Sequence, residues 1–568
     1  MTTTTIDPNE PTLFGHPKGL YTLFFTEMWE RFSYYGMRAL LVLYMSSTTN
    51  GALGWTKGEA LATYGWYTMM VYVASIPGGL IADRLLGQKK CVMLGGAFLV
   101  GGHGVMAVPA LWAFYTALVL IVIGVGLLKP NISTMVGGLY GPGDPRRDKG
   151  FAIFYMGINV GAAASALIVG YVGETYGWHY GFGLAGIGMA LGQAQFVFGQ
   201  RYLKHVGNLV KSGDASASVD MSAPLTKVER DRVFVLLVSF LIVIVFWGAF
   251  EQAGGLMNIF TNEKVDRTLG GMEIPASIFQ SLNPIFIILF ATVVAGYWHN
   301  RLVKGKQASA VFKMAVGTMI MGVGFVFMVM AAREGAPQEE LGVRVREAVV
   351  AAGSSSPDTT FWAQADAARS AAGSEGGEDA GDEAVARVVD SETDRIVATL
   401  GEVEDEADMR HAIHEGLTSI AAQEEAPASG DAEAIASATE GVANASYLSA
   451  VHASTAMMWL ILAYLFHTIG ELCSSPVALS FITKLSPAKY ASLMMGVYFA
   501  VTGLGNKLAG MIGERVENFS EYAIFTGITV FTVVFSGALL VFLKPLNRMT
   551  HGAEDIGGGA PETADEGA

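Results

Sequence analysis

The chain has 568 residues, 52% hydrophobic and only 15% charged, with a mean hydropathy of +0.41. Soluble proteins carry about a quarter charged residues, so this balance excludes an ordinary soluble domain and points to lipid as the solvent. The net charge of −15 belongs to one segment: residues 333–449 hold 25 acidic and 7 basic residues, leaving 26 acids and 29 bases elsewhere. A mildly basic membrane part suggests no nucleic-acid partner.

In chain order, residues 1–17 form a polar N-terminal segment without the basic region and short apolar core of a cleavable signal. Twelve apolar spans follow, each close to the length a helix needs to cross a bilayer. They cover about 19–45, 60–82, 90–109, 113–137, 151–172, 180–200, 233–256, 276–298, 311–332, 455–480, 490–513 and 523–543. Cys91 and Cys473 both fall inside these spans and read as packing rather than a disulfide framework. One set of loops carries 17 Lys and Arg, the other only Lys57, Lys264, Arg267 and Arg515. The positive-inside rule therefore places both termini in the cytoplasm, as expected for a multi-pass protein of the cell (inner) membrane.

Two six-span halves are expected, at 18–200 and at 233–332 with 455–545, joined by a basic cytoplasmic linker at 201–232. This layout suits halves that rock about a central site. The acidic segment 333–454, between spans nine and ten, is expected outside the membrane on the far face. It has no Lys and few aromatics. Parts such as 339–351 and 383–422 could form amphipathic helices, whereas 370–382 reads as disordered. Its composition argues against a tightly folded domain. The Gly-rich, acidic end of the tail 546–568 is expected to be disordered as well.

The first span contains TEMWERFSYYGMR, with Glu27, Glu30, Arg31, Tyr34, Tyr35 and Arg38. Residues three and four apart share a helix face, so four ionisable groups line one stripe. Such groups are costly against lipid, and the stripe must face a cavity or partners. Two carboxylates sharing one arginine cannot be equally ionised, the arrangement a proton carrier requires. Lys129, Glu251 and Glu471 each add a charge at mid-span, with the amides Asn159 and Asn283. Basic groups cluster in the N-terminal half and acids in the C-terminal half, apart from Glu27 and Glu30. A cavity with one cationic and one anionic wall suits a zwitterion. His467, four residues before Glu471, could pass protons to it; His103 reads as structural. In GGLIADRLLGQKK, at 78–90, Gly79 and Gly87 allow close backbone approach, and Asp83, Arg84, Lys89 and Lys90 can bridge to a neighbouring helix end.

That 78–90 run resembles the signature between the second and third helices of the major facilitator superfamily. The ExxERFxYY run from Glu27 to Tyr35, KPNIS at 129–133, FYxxIN at 154–159 and the Glu251–Gln252 pair resemble, more narrowly, the proton-dependent oligopeptide transporters. The resemblance covers roughly 15–332 and 455–545. It implies an all-α, twelve-helix major facilitator fold and roles residue by residue. Glu27, Glu30 and Arg31 match the proton-coupling cluster. Arg31, Tyr35 and Lys129 match the groups that hold a peptide's carboxylate, and Asn159, Asn283 and Glu471 those that hold its amine. Tyr34 and Tyr72 match pocket tyrosines, and Arg38 with Glu251 a gate that closes the extracellular side. Tyr498 stands where a tryptophan is expected, and still counts among the substrate-binding candidates. Gly254 and Gly255 stand where small hydroxyl residues are common, and the linker is too short for an inserted helix pair.

The expected activity is proton-coupled import of di- and tripeptides by alternating access, with protons as coupling ion, the bilayer as partner and no cofactor or metal. A carrier of nitrate, an organic acid or a drug, and a peptide-sensing receptor without turnover, remain the alternatives. No nucleotide-binding loop, metal-spaced His/Cys cluster or nucleophile elbow is present in the sequence, which argues against a pump or membrane enzyme.

Overall fold

The computed structural model describes residues 12–553 apart from 50, 142–143, 145, 210–223, 337–341, 348–349, 351–363, 366, 372–377, 401–405, 422–454 and 488–489. Its helices are α1 Lys18–Ser46, α2 Lys57–Leu86, α3 Gln88–Met106, α4 Leu111–Gly138, α5 Arg147–Tyr176, α6 Trp178–Tyr202 and α7 Lys227–Lys264. There follow α8 Ala276–Val303, α9 Ala310–Glu334, α10 Glu378–Leu400, α11 Glu406–Ala421, α12 Met457–Leu485, α13 Ala491–Gly513 and α14 Glu521–Val541. Among the described residues nine of these, α2, α4 to α9, α12 and α14, are long and apolar enough to cross a membrane. The protein is a multi-pass, all-α membrane protein. The other three expected spans coincide with α1, α3 and α13, which miss that apolarity. The charged stripe lowers it in α1, Lys89, Lys90 and His103 lower it in α3, and Asn506 and Lys507 lower it in α13.

Two compact units are present: Met1–Asn262 with Thr268–Val329 and Met458–Ala568, and Glu263–Arg267 with Met330–Met457. In the first, helices meet where side chains are small. A Cβ on Gly78 of α2 would lie 1.9 Å from the Gly126 carbonyl oxygen of α4, so only glycine fits. Nothing lies within 4 Å of a Cβ built on Gly79, so the close approach expected there belongs to its neighbour. Gly87 does behave as expected. Its φ is +80° and its Cβ would lie 2.6 Å from the Leu209 amide nitrogen, while Lys89 donates to Asn208 Oδ1 at 3.1 Å. Outside the spans, Arg146 closes the turn before α5 on Asp144 through its backbone N–H at 2.9 Å and Nη2 at 2.8 Å. These hydrogen bonds hold the Asp144 carboxyl below the usual carboxylate range.

In the second unit, α10 buries Val385, Val389, Ile396 and Val397, and α11 buries Met409, Ile413 and Leu417. Asp394 pairs with Arg410 at 2.5 Å and Asp390 with His414 at 3.3 Å. As one helix advances four residues the other retreats four, so the two run antiparallel. The expectation that this segment would not fold tightly is corrected for 378–400 and 406–421, where the amphipathic helices expected within 383–422 each have an apolar stripe to bury. Residues 378–382, read as disordered from sequence, begin α10; residues 372–377 and 554–568 lie outside the described residues.

Candidate transport site

The stripe read in α1 is buried. Glu27 is 3% exposed, Glu30 0% and Arg31 3%. Arg31 Nε lies 2.9 Å from Glu27 Oε1 and 2.5 Å from Glu30 Oε2. One N–H cannot point at both, and it forms an in-line hydrogen bond with neither. Glu27 Oε2, both Glu30 oxygens and Arg31 Nη2 likewise have no hydrogen-bond partner among the described residues. One turn on, the Arg31 guanidinium faces the rings of Tyr34 and Tyr35 at 5.7 and 5.8 Å, and Arg38 faces Tyr35 at 5.1 Å. Tyr35 thus stands between two cations, an arrangement that its electron-rich faces favour.

Arg38 meets Glu251 across 213 residues of sequence. Glu251 stands where α7 breaks into a 3-10 turn at Glu251–Ala253, which aims its side chain at α1. Arg38 Nη1 donates to Glu251 Oε1 at 2.8 Å and Oε2 at 3.1 Å, and Tyr64 of α2 donates its hydroxyl to Oε2 at 3.1 Å. A Cβ on residue 254 would lie 2.1 Å from that hydroxyl, so Gly254 makes room for Tyr64. Two further carboxylates join the halves: Glu174 of α5 accepts the Ala276 and Ser277 N–H groups at 2.9 and 2.8 Å, and Glu517 accepts the Gly58 N–H at 3.0 Å.

Tyr34, Tyr35, Arg38, Tyr72, Asn159, Glu251, Asn283 and Glu471 line one cavity of about 140 Å³. Asn283 of α8 donates to Glu471 of α12 at 2.8 Å and to Thr468 Oγ1 at 3.1 Å. Asn159 spends one N–H on Tyr155 of its own helix, at 2.9 Å. Arg31 and Lys129 are not on the wall. Lys129 Nζ sits 3.8 Å from the centre of the Tyr72 ring, so the cationic end is faced by tyrosines with the charges behind them. Of the cations expected on one wall, Arg38 lines the cavity and Arg31 and Lys129 do not. Pro130 removes one backbone donor from α4 beside Lys129, and the Asn131 side chain donates to the Leu127 carbonyl at 2.7 Å. Tyr498 lines a separate small cavity with Trp247, Met314 and Ser474. His467 packs on Phe325 at 4.5 Å and neither of its ring nitrogens has a hydrogen-bond partner among the described residues, so no bond links it to Glu471.

Sequence reasoning missed Tyr64, Tyr155, Trp247, Gln280 and Tyr464, of which all but Tyr64 line the cavity with the predicted residues. Tyr155 and Tyr464 lie four and seven residues before Asn159 and Glu471, spacings that put them on the same helix faces. Tyr64 and Glu174 carry no comparable local signal.

The family model described as the POT family matches residues 89–228, 208–365 and 432–530. The chain is 28% identical to the peptide transporter YePEPT of Yersinia enterocolitica over 98% of its own length and 99% of the relative's. It is 35% identical to a di-/tripeptide transporter of Lactococcus lactis, over 57% and 77%. A crystal structure of a peptide transporter POT in complex with sulfate aligns with a TM-score of 0.68 at 28% identity, covering 95% of this chain and 97% of that one. With the family model spanning both halves and the fold matching over nearly the whole length, the chain belongs to the POT family, the proton-dependent oligopeptide transporters of the major facilitator superfamily.

Proposed function

We propose that this protein is a proton-coupled symporter that imports di- and tripeptides by alternating access, in the cell (inner) membrane with twelve spans, both termini cytoplasmic and 333–454 outside. The observation that carries this reading is Glu471, fixed by Asn283 on the cavity wall, with Arg31 and Lys129 held behind Tyr35 and Tyr72. Glu471, Asn283 and Asn159 bind the peptide amine. Movement of the tyrosine rings exposes Arg31 and Lys129 to its carboxylate, and Tyr34 and Tyr72 bracket the backbone. Tyr498 acts on side-chain preference from its neighbouring cavity. Glu27, Glu30 and Arg31 carry the coupled proton, and Arg38 with Glu251 is the extracytoplasmic gate. The names of the relatives support the peptide.

The test is competition by free and N-acetylated dipeptides against labelled dipeptide in proteoliposome counterflow. Acetylation removes the amine and leaves Glu471 without its cation, so free dipeptide should compete far better. In a cycle with Glu471→Gln the coupling should be about 1–3 kcal/mol, within the span of about 0.5–3 kcal/mol for groups in contact. Equal competition would refute the zwitterion reading in favour of an organic-anion carrier, and binding without exchange would favour a receptor.

A further inference from the structure

A second cavity, of about 470 Å³, opens among α7, α13 and α14, with none of the transport-site residues on its wall. Val245 and Gly248 of α7, Leu508 of α13, and Gly527 and Phe531 of α14 make it almost wholly apolar, with Arg515 at one end. Along α14 the lining runs from Ala523 to Thr532. At about 1.5 Å per residue that is about 13 Å, close to one leaflet of a hydrocarbon core about 30 Å thick. The space is real at Gly527, where an added Cβ would meet nothing within 4 Å.

Arg515 projects from the 3-10 turn Glu514–Glu517 that ends α13, and is exposed. Its acidic neighbours are engaged elsewhere. Glu514 pairs with Lys507 at 3.0 Å, Glu517 accepts the Gly58 N–H, and Glu521 is buried. Arg515 makes no ion pair among the described residues. An apolar slot one leaflet deep with an unneutralised cation at its end has the dimensions and charge order of a lipid tail below a phosphate.

We propose that this groove holds one acyl chain of an anionic phospholipid, with the headgroup phosphate on Arg515. The inference does not depend on which solute is carried.

The experiment is native mass spectrometry of the purified full-length protein in detergent, titrated with phosphatidylglycerol and with phosphatidylcholine of the same chains. Unmutated protein should prefer the anionic lipid by about fivefold, the factor for one basic residue near an anionic phosphate. Arg515→Gln should erase that preference and leave the binding common to both lipids. Gly527→Leu fills open space and should reduce retention of both, with circular dichroism and peptide counterflow showing a folded protein. Equal affinity for the two lipids in unmutated protein would overturn the headgroup assignment. Unchanged retention in Gly527→Leu would overturn the tail assignment. Arg515 is exposed, so its variant decides the matter even where Gly527→Leu expresses poorly.

Discussion

Helix α1 carries two buried charge clusters two turns apart, and they are built on opposite plans. At Arg38, one carboxylate receives two hydrogen bonds from the guanidinium and one from Tyr64, so both Glu251 oxygens are satisfied, and only Arg38 Nε lacks a partner in this pair among the described residues. At Arg31, two carboxylates crowd a single N–H and most of their oxygens lack a hydrogen bond. A satisfied ion pair is a fastener, costly to break and silent until it does. An under-satisfied one has room for a proton, which would neutralise one acid and leave the other to the arginine. The same residue types, two turns apart, thus suit a proposed gate and a proposed proton carrier. What separates them is donor count, not composition.

The comparison can be broken from its strong side first. Glu251→Gln strands the Arg38 charge in a buried site, so unfolding stability in detergent should fall by about 3–5 kcal/mol, the usual cost of removing one partner of a buried pair. A loss below about 1 kcal/mol would mean that the pair is solvated and no lock. Tyr64→Phe removes only one of the three hydrogen bonds to Glu251, and should cost about 0.5–1.5 kcal/mol. Gly254→Ala should be worse than Tyr64→Phe, because its Cβ meets the Tyr64 hydroxyl. In the Tyr64→Phe background the nearest ring atom lies 3.0 Å away, so the second substitution should cost less. Strict additivity would show that Gly254 does not accommodate Tyr64.

Deleting 340–445 should leave membrane insertion and most transport intact, because α10 and α11 bury their stripes against each other. Loss of an inserted, active protein would show that the segment is structurally required. The smallest effect is expected at the Asp144–Arg146 turn. A carboxyl held low by hydrogen bonds adds stability that is present above its ordinary value near 3.9 and is lost as pH falls through the lower folded value. Asp144→Asn should therefore lower stability slightly at pH 7, with a difference that narrows on acidification. A difference that widens would reverse the sign.

The fastener and the carrier were not equally legible. The Glu27, Glu30 and Arg31 cluster lies within five residues on one helix face, and spacing alone brings it together. Arg38 and Glu251 are 213 residues apart, a contact no local pattern contains, and it was reached only through resemblance. Tyr64 escaped notice because a tyrosine in an apolar helix is usually packing, and its hydroxyl's partner lies in the other half. Lys129 was identified, but its seat behind Tyr72 depends on how α2 and α4 close at Gly78 and Gly126. The acidic segment shows the converse. The helical period of Val385, Val389, Ile396 and Val397 was legible as amphipathic helices within 383–422, while bulk composition hid that two such helices would pack on each other.

The most direct measurement of the difference between the two clusters is dipeptide uptake into proteoliposomes with and without an inward proton gradient, beside gradient-free counterflow, for Glu27→Gln, Glu30→Gln and Glu251→Gln. Both cluster variants should lose uphill accumulation while retaining counterflow, and the gate variant should lose both. Undiminished concentrative uptake in Glu27→Gln and Glu30→Gln would contradict the assignment of the crowded cluster as the proton carrier.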